Sequence, residues 1–352
     1  MTIILTLNSG SSSLKFGLHR VDGAGLETLL ADSVSPSQQD AIPQISKALA
    51  AAKLPAPQAI GHRIVHGGAA LRQHRLIDAD VMQQLEAATP FAPLHTPAAL
   101  ALIRSAQQHW PSLRQVACFD TSFHRTLPAV ARVLPIDRTL QAQGIERYGF
   151  HGLSCESIVQ QLGSSVPARL VIAHLGHGAS ITAVRDGLSI DTSMGLTPSG
   201  GAMMGTRSGD LDPGLLIYLL LQKHCDVFGL EELINHRSGL LGVSGITSDM
   251  RLLHHAAASN GDARLAIAMF CMSVKKQVAA MAAVLGGLDL LVFTGGIGEH
   301  DALVRDEICK GLDWLACATS ESRSLTQAAV RVLPSQEDVQ IARHSAGLCG
   351  ET

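Results

Sequence analysis

Aromatic side chains are scarce in this sequence, 3% of its 352 residues. That is too few for the stacking platforms on which single-strand nucleic-acid binders lay their bases. A dominant charge is missing too: 27 Lys and Arg stand against 30 Asp and Glu, a net −3, which leaves no footprint for nucleic acid or an anionic membrane. The seven cysteines are scattered and odd in number, with no C-x-x-C. Neither a disulfide framework nor a zinc site is suggested, and a reducing cytoplasm is the expected home. No basic leader precedes the short apolar run Ile3–Leu7, which reads as a strand. Leu215–Leu221 falls far short of the roughly 18 residues of a membrane span, and the longer apolar stretch Leu265–Leu285 is interrupted by Lys275 and Lys276. The P-loop pattern G-x-x-x-x-G-K-[ST], a strand–GxGxxG–helix fingerprint and H-E-x-x-H are all absent.

What is present is a globular composition, 46% hydrophobic and 16% charged, and a length that favours about two domains. Ile3–Leu7 runs into Asn-Ser-Gly-Ser-Ser-Ser, after which Leu14, Phe16 and Leu18 alternate with Lys15, Gly17 and His19. Alternation of period two beyond a Gly/Ser turn predicts a hairpin, with Lys15 on the face opposite Leu14 and Phe16. A similar unit recurs at Leu170–Ala173, Gly176–Ser180 and Ile181–Val184, hinting at duplication. Thr96-Pro97 and Asp212-Pro213 read as helix starts, Ser154 as the cap of a helix over Glu156–Leu162, and Asp301–Lys310 as a helix. Strands alternating with helices give an α/β fold, and the stretch 123–148 is the best boundary between halves.

Three glycine-rich turns follow apolar strands: Asn8–Ser13, Gly176–Ser180 and Gly295–Gly298. Such turns let backbone N–H groups crowd around a phosphate, although one alone is weak evidence. Arg63, in Gly-His-Arg-Ile-Val-His-Gly-Gly, and Arg207, in Met-Gly-Thr-Arg-Ser-Gly, are each hemmed in by apolar and glycine residues. Most arginines are solvated surface charges, but these surroundings suit bidentate capture of a carboxylate or phosphate. Asp120 ends the apolar strand Val116–Phe119, where ligands of α/β sheets gather. Glu337 follows another strand, and Asp249 with Arg251 sits at a segment that reads equally as a helix start. His62 and His66 lie four apart, but on a strand and loop rather than a metal-binding helix.

Together these motifs resemble the acetokinase family. They run in order as NSGSSSLK (Asn8–Lys15), GHRIVHGG (Gly61–Gly68), APLHTP (Ala92–Pro97), FDTSFH (Phe119–His124), RYGFHG (Arg147–Gly152), AHLGHGASITAV (Ala173–Val184), DTSMGLTP (Asp191–Pro198), MGTRSGDLDPG (Met204–Gly214), SGLLGVSG (Ser238–Gly245) and FTGGIGEH (Phe293–His300). The resemblance implies a duplicated actin/hexokinase-like ATPase fold of two domains with the active site in the cleft between them. The first domain would be 1–124 completed by about 337–352, and the second 125–336. It implies an ATP-dependent kinase for acetate or propionate, Mg2+ or Mn2+ as cofactor, and a homodimer.

Carried over by motif, Asn8 and Glu337 are expected at the metal. The nucleotide is expected against Ser13, Lys15, His174, Leu175, Gly176, His177, Gly178, Asp249, Met250, Arg251, Gly296, Ile297, Gly298, Glu299 and His300. Arg63 and His95 are expected at the substrate, with Val65, Leu94, Phe150 and Pro198 around its alkyl end. Asp120, His151 and Arg207 are expected to be catalytic.

The chemistry agrees with those roles. A carboxylate with a pKa of about 4 is already a nucleophile and needs no general base. It needs relief from phosphate repulsion, which arginines and a divalent ion supply. The chain departs from the family pattern at His177 and His300, where asparagine is usual, at Ser199-Gly200-Gly201, and at Gln336-Glu337-Asp338. All of these changes fall on the nucleotide side or the periphery. Two other readings are an actin/Hsp70-like nucleotide-switched binding protein and a phosphoanhydride hydrolase. The first does not explain two glycine-flanked arginines beside an apolar pocket, and phosphate release independent of added acid would favour the second.

Overall fold

The computed structural model describes residues 1–9, 14–23, 25–34, 41–93, 95–312, 314 and 329–350. The first sheet contains β1 (Thr2–Ser9), β2 (Leu14–Asp22), β3 (Gly25–Val34), β4 (Ala59–Ile64), β5 (Arg75–Leu76) and β6 (Arg114–Phe119), in the order β3-β2-β1-β4-β6-β5. The second contains β7 (Leu170–Leu175), β8 (Ala179–Arg185), β9 (Leu188–Thr192), β10 (Leu290–Thr294) and β11 (Ala329–Val332), in the order β11-β10-β7-β8-β9.

The two sheets repeat one plan. An antiparallel meander, β1-β2-β3 or β7-β8-β9, occupies one side of each. Its first strand then pairs in parallel with later strands, β4 and through it β6 in one case, β10 and through it β11 in the other. The hint of duplication in the two strand–turn–strand units is therefore a property of the whole topology. Lys15 is exposed between buried Leu14 and Phe16, as alternate strand residues require.

Each sheet is covered by helices whose apolar faces fill the core. Ile42 and Ile45 of helix Ala41–Ala51 and Leu102 of helix Thr96–His109 pack on Leu5, Leu7, Phe16 and Leu18. Phe270, Val274 and Val278 of helix Gly261–Leu285 pack on Val171, Ala173, Ile181 and Ala183. Full burial of one such side chain contributes about 1.5–3 kcal/mol. Helix Gly261–Leu285 is the one helix among the described residues long and apolar enough to cross a membrane, and this buried face packs against the second sheet. Cys118, Cys155 and Cys271 are free thiols buried in the core.

Helix Glu337–Gly350 returns from the second sheet to lie across β1, β4 and β6 of the first. Gly61 makes that approach possible, because a Cβ there would come within 2.5 Å of Ile341 Cγ2 and 2.3 Å of Ser345 Oγ. Any side chain would push the helix off the sheet and displace its first residue, Glu337.

Three local expectations need correction. Ser154 caps nothing: the helix begins at Gly152, with His151 as its N-cap, and the Ser154 hydroxyl bonds His174 instead. Thr96 is the first helical residue and His95 the cap. The glycine-rich segment after Phe293 is not an open turn, since β10 passes at once into a short helix, Gly295–His300.

Candidate active site

A cleft of about 410 Å3 opens at the C-terminal ends of β1, β4, β6, β7 and β10, lined by residues of both halves. On one side, Arg63 at the end of β4 reaches Asp120 just past β6. Its Nε lies 3.0 Å from Asp120 Oδ2 and its second terminal nitrogen donates to the same oxygen at 2.6 Å. Arg63 also donates to Asn8 Oδ1 at 3.3 Å, and its Nε is 3.9 Å from Glu337 Oε2. Asn8 Nδ2 donates in turn to Glu337 and Asp338, both at 3.0 Å. Two carboxylates, Asp120 and Glu337, thus share one guanidinium, and Asn8 ties Asp338 to the same corner.

Burial opposes the charge on Arg63, but Asp120, Glu337 and Asp338 outweigh it and hold the arginine firmly protonated. Burial pushes Asp120 up to about 6, against the pull of Arg63 and with a further push from Glu337. Burial also works against Glu337, but Arg63, His174, Asn8 and Lys15 hold it below the usual range. Asp338 is raised by burial and by Glu337. The donors of this corner are all oxygens, an amide and carboxylates in excess over cations, which is the set a hard divalent cation prefers.

The opposite wall is built differently. His151 has φ 56, the left-handed region, and it is followed by Gly152, whose N–H bonds Asp120 O at 2.8 Å. A Cβ at Gly152 would sit 2.2 Å from that same oxygen. Glycine is thus what lets the chain carrying His151 dock against the chain carrying Asp120. The His151 ring stacks on His174 at 4.2 Å, and its Nδ1 lies 3.0 Å from Ser180 Oγ. His174 Nδ1 is held by Ser154 Oγ at 2.8 Å. Burial, then His174 and the two arginines, lower His151 well below its ordinary value, so the ring is neutral. His174 and His177 are lowered by burial as well, and His95 falls to about 4 through burial and the two arginines.

Arg207 lies on this wall too, bonded to Pro198 O at 2.8 Å and touching Met204 Sδ at 3.6 Å. Among the described residues no carboxylate pairs with it. Burial and Arg63 lower its pKa, yet a guanidinium stays charged in a protein. Gly178 marks how close the groups are: a Cβ there would be 3.2 Å from His151 Nε2 and 3.5 Å from a terminal nitrogen of Arg207. A half-buried cation and a neutral imidazole, side by side with no counter-ion among the described residues, make a seat for an oxyanion.

The acetokinase family profile matches residues 31–343. The chain belongs to the acetokinase family. It is 37% identical to an acetate kinase of Methylocella silvestris, over 98% of this chain and 97% of that protein. Among solved structures, a propionate kinase from Francisella tularensis superposes with a TM-score of 0.87 at 36% identity, covering 99% of this chain and 100% of that one. Porphyromonas gingivalis acetate kinase superposes with a TM-score of 0.84 at 32% identity, with 99% and 100% covered. The acetokinase fold here is accordingly the duplicated actin/hexokinase-like one expected from the motifs, with its cleft between two α/β halves.

Of the residues expected at the site, Asn8, Lys15, Arg63, Val65, His95, Asp120, Phe150, His151, His174, His177, Gly178, Pro198, Arg207, Gly296, Glu299, His300 and Glu337 all line the cleft. Leu175, Gly176, Ile297 and Gly298 support its loops without lining it. Glu299 faces inward but is tied to backbone, accepting from Gly295 N and Ser335 N at 2.9 Å each. Asp249, Met250 and Arg251 lie outside the lining. Asp249 caps helix Met250–Ala257 and pairs with exposed Arg251, which holds it down to about 2, while Met250 is in the core. Ser13 and Leu94 lie outside the described residues.

Four contributors escaped the sequence reading: Ser9, Ser154, Ser180 and Asp338. Only Asp338 had a local signal, the acidic pair Glu337-Asp338 opening a helix. Ser154 and Ser180 hold histidines 20 and 29 residues away, while Ser9 offers its carbonyl to Arg63 at 3.5 Å.

Proposed function

We propose that this cleft passes the γ-phosphoryl group of ATP directly to the carboxylate of a short acid, acetate or propionate, and reversibly yields an acyl phosphate. The reaction class follows from the family, whose relatives here are acetate and propionate kinases. The observation that carries the reading to particular residues is Arg207, a half-buried guanidinium in the cleft without a carboxylate partner among the described residues. An incoming carboxylate and a phosphoryl group are both anions, so the barrier is chiefly their mutual repulsion. Arg207 offsets that charge. In the tautomer in which the Ser180 hydroxyl donates to Nδ1 of neutral His151, the ring proton sits on Nε2 and can be donated to a phosphoryl oxygen.

Asp120 does not need to accept a proton, since the acceptor acid is already ionised. Its place is to fix Arg63 in two-point contact. Arg63 then presents its remaining nitrogen between Asn8 and Ser9. Asn8, Glu337 and Asp338 would hold Mg2+ or Mn2+, which when bound supplies charge neutralisation at the phosphates. Lys15, Gly178 and Gly296 line the phosphate path, and Val65, Phe150 and Pro198 bound the alkyl end.

Acetate, ATP and hydroxylamine together test the proposal. Acyl hydroxamate is expected, and phosphate release independent of added acid would instead indicate a hydrolase. With ATP chiral at the γ-phosphorus, direct transfer inverts configuration, and net retention would require a phospho-enzyme.

The two halves, 1–124 with 337–352 and 125–336, are proposed as the two domains, and the cytoplasm as the location, in keeping with three buried free thiols. A homodimer is proposed through helices Pro213–Leu221 and Val227–His236, whose Leu221 and Phe228 are 72% and 83% exposed. Phe228→Asp should yield a monomer in light scattering; an unchanged mass would move the interface elsewhere.

A further inference from the structure

A second cavity, of about 390 Å3, shares no lining residue with the cleft. It lies where three elements meet, each of which begins at the active site. The short helix Ser122–Thr126 follows Asp120 by two residues, helix Gly152–Leu162 carries Glu156 and is capped by His151, and helix Glu337–Gly350 carries Arg343 and His344.

The chemistry of the cavity is that of a donor-lined site. Ser122 is 7% exposed, and its buried hydroxyl has no hydrogen-bond partner among the described residues. His74 Nδ1 accepts from the backbone N–H of Phe119 at 3.0 Å, which places the proton of the neutral ring on Nε2 and makes that nitrogen a donor. Arg125 faces His74 closely enough to lower its pKa, after burial and His344. Arg343 is bonded to the neutral amide of Gln160. The one carboxylate of the lining, Glu156, is taken up by His344 Nε2 at 2.8 Å. Exposed Arg125 and half-buried Arg343 therefore line a cavity whose single carboxylate is already occupied, beside the apolar surface of Phe123, Leu188 and Leu348.

His74, Glu156 and His344 do bring ligand atoms within 4.8 Å of one another, a spacing a metal can bridge. The Phe119 N–H argues against that use, because a protonated Nε2 has no lone pair to give.

We propose that this cavity is an effector site for a small oxyanion, a carboxylate or phosphate with a short apolar body, whose occupancy is felt at Asp120, His151 and Glu337 through the three elements that join them. The binding test does not depend on the kinase reading. With the cleft filled by a non-hydrolysable ATP analogue and magnesium, inorganic phosphate and, separately, succinate are titrated calorimetrically. One saturable site is expected for at least one probe. Loss of a charge-assisted hydrogen bond in Arg125→Gln should weaken it about tenfold or more, with a smaller loss in Ser122→Ala. Both substitutions should leave basal kcat unchanged. The bound probe should shift kcat or KM for acid in the wild type, and not in Arg125→Gln.

No saturable binding of either probe overturns the proposal, as does binding that survives both substitutions or binding that leaves the kinetics untouched. Stoichiometric Zn2+ binding in dialysis, lost in His344→Ala, would replace the oxyanion with a metal. Succinate binding without phosphate binding, or the reverse, would identify which oxyanion the site takes.

Discussion

Arg63 and Arg207 sit half-buried in the same cleft, yet their surroundings are opposite. Arg63 is surrounded by Asp120, Glu337 and Asp338, which keep its proton firmly in place. Arg207 rests on a carbonyl and a thioether, and its charge is disfavoured by burial and by Arg63. An uncompensated buried charge costs stability, whereas removing one partner from a buried pair leaves its carboxylates stranded. The fold therefore spends stability to keep Arg207 unpaired, while Arg63 belongs to the scaffold of the acidic corner. Burial of an arginine does not by itself assign a role; what neutralises it does.

The largest effect expected is on Arg207. Arg207→Ala should lower kcat by about 10³-fold or more, the scale of arginines that stabilise phosphoryl transfer, while the melting temperature holds or rises. Arg63→Ala should behave differently, losing activity together with about 3–5 kcal/mol of stability, because Asp120 at 1% exposure keeps no partner of equal strength. Steady-state kinetics and urea unfolding on both variants check this contrast. Equal destabilisation of the two would end it.

Asp120 sharpens the scaffold side of the comparison. Its carboxyl is raised to about 6, so it is ionised above that pH and loses its charge pair with Arg63 as pH falls through it. Activity should accordingly drop on the acid side of about pH 6. Asp120→Asn should lower kcat about 10²-fold and remove that limb, leaving a flatter profile. Burial and the neighbouring cations lower His151 well below its ordinary value, so it should add no limb of its own. A limb near 6 that persists in Asp120→Asn would transfer the titration to another group.

A smaller effect is expected at the edge of the acidic corner. Glu337→Gln keeps the shape and one oxygen donor but removes a charge. It should raise the Mg2+ concentration needed for half-maximal rate by about 10-fold or more, at nearly unchanged KM for acid. An unaltered magnesium requirement would move the metal away from Glu337.

The strand pairs and their duplication were legible because they are local: alternation around Lys15 and again around Ser180 needs only a short window. Asp120 was legible from its place at a strand end. The relations that distinguish the two arginines were not, because they are long-range. Asn8 meets Asp338 across 330 residues and Arg63 meets Asp120 across 57, and no local pattern encodes either. Asp249 and Arg251 were legible in two ways, as a nucleotide loop and as a helix start, and the second is visible in the fold. Their motif carries the family's nucleotide-loop signature, but two residues apart they satisfy each other at a helix start. Gly295–Gly298 misled for a related reason, since glycine permits a turn without preventing a helix once β10 and Glu299 hold the segment.

The smallest effect concerns the apolar end of the site, where neither arginine acts on the alkyl chain. Val65 packs partly buried against the core of the second half and lines the cleft with Phe150 and Pro198. Truncation to alanine adds room for about one methylene, worth about 1–3 kcal/mol in a pocket of this kind. Val65→Ala should therefore raise kcat/KM for propionate or butyrate relative to acetate by about 10-fold. The comparison predicts that this shift is confined to the ratio between acids, since the charges facing the carboxylate and the phosphates are unchanged. Kinetics across formate, acetate, propionate and butyrate check it, with the KM for ATP as the internal control. An unchanged ratio would remove Val65 from the specificity pocket, and a changed ATP KM would mean that the alkyl end and the phosphate side are not separable.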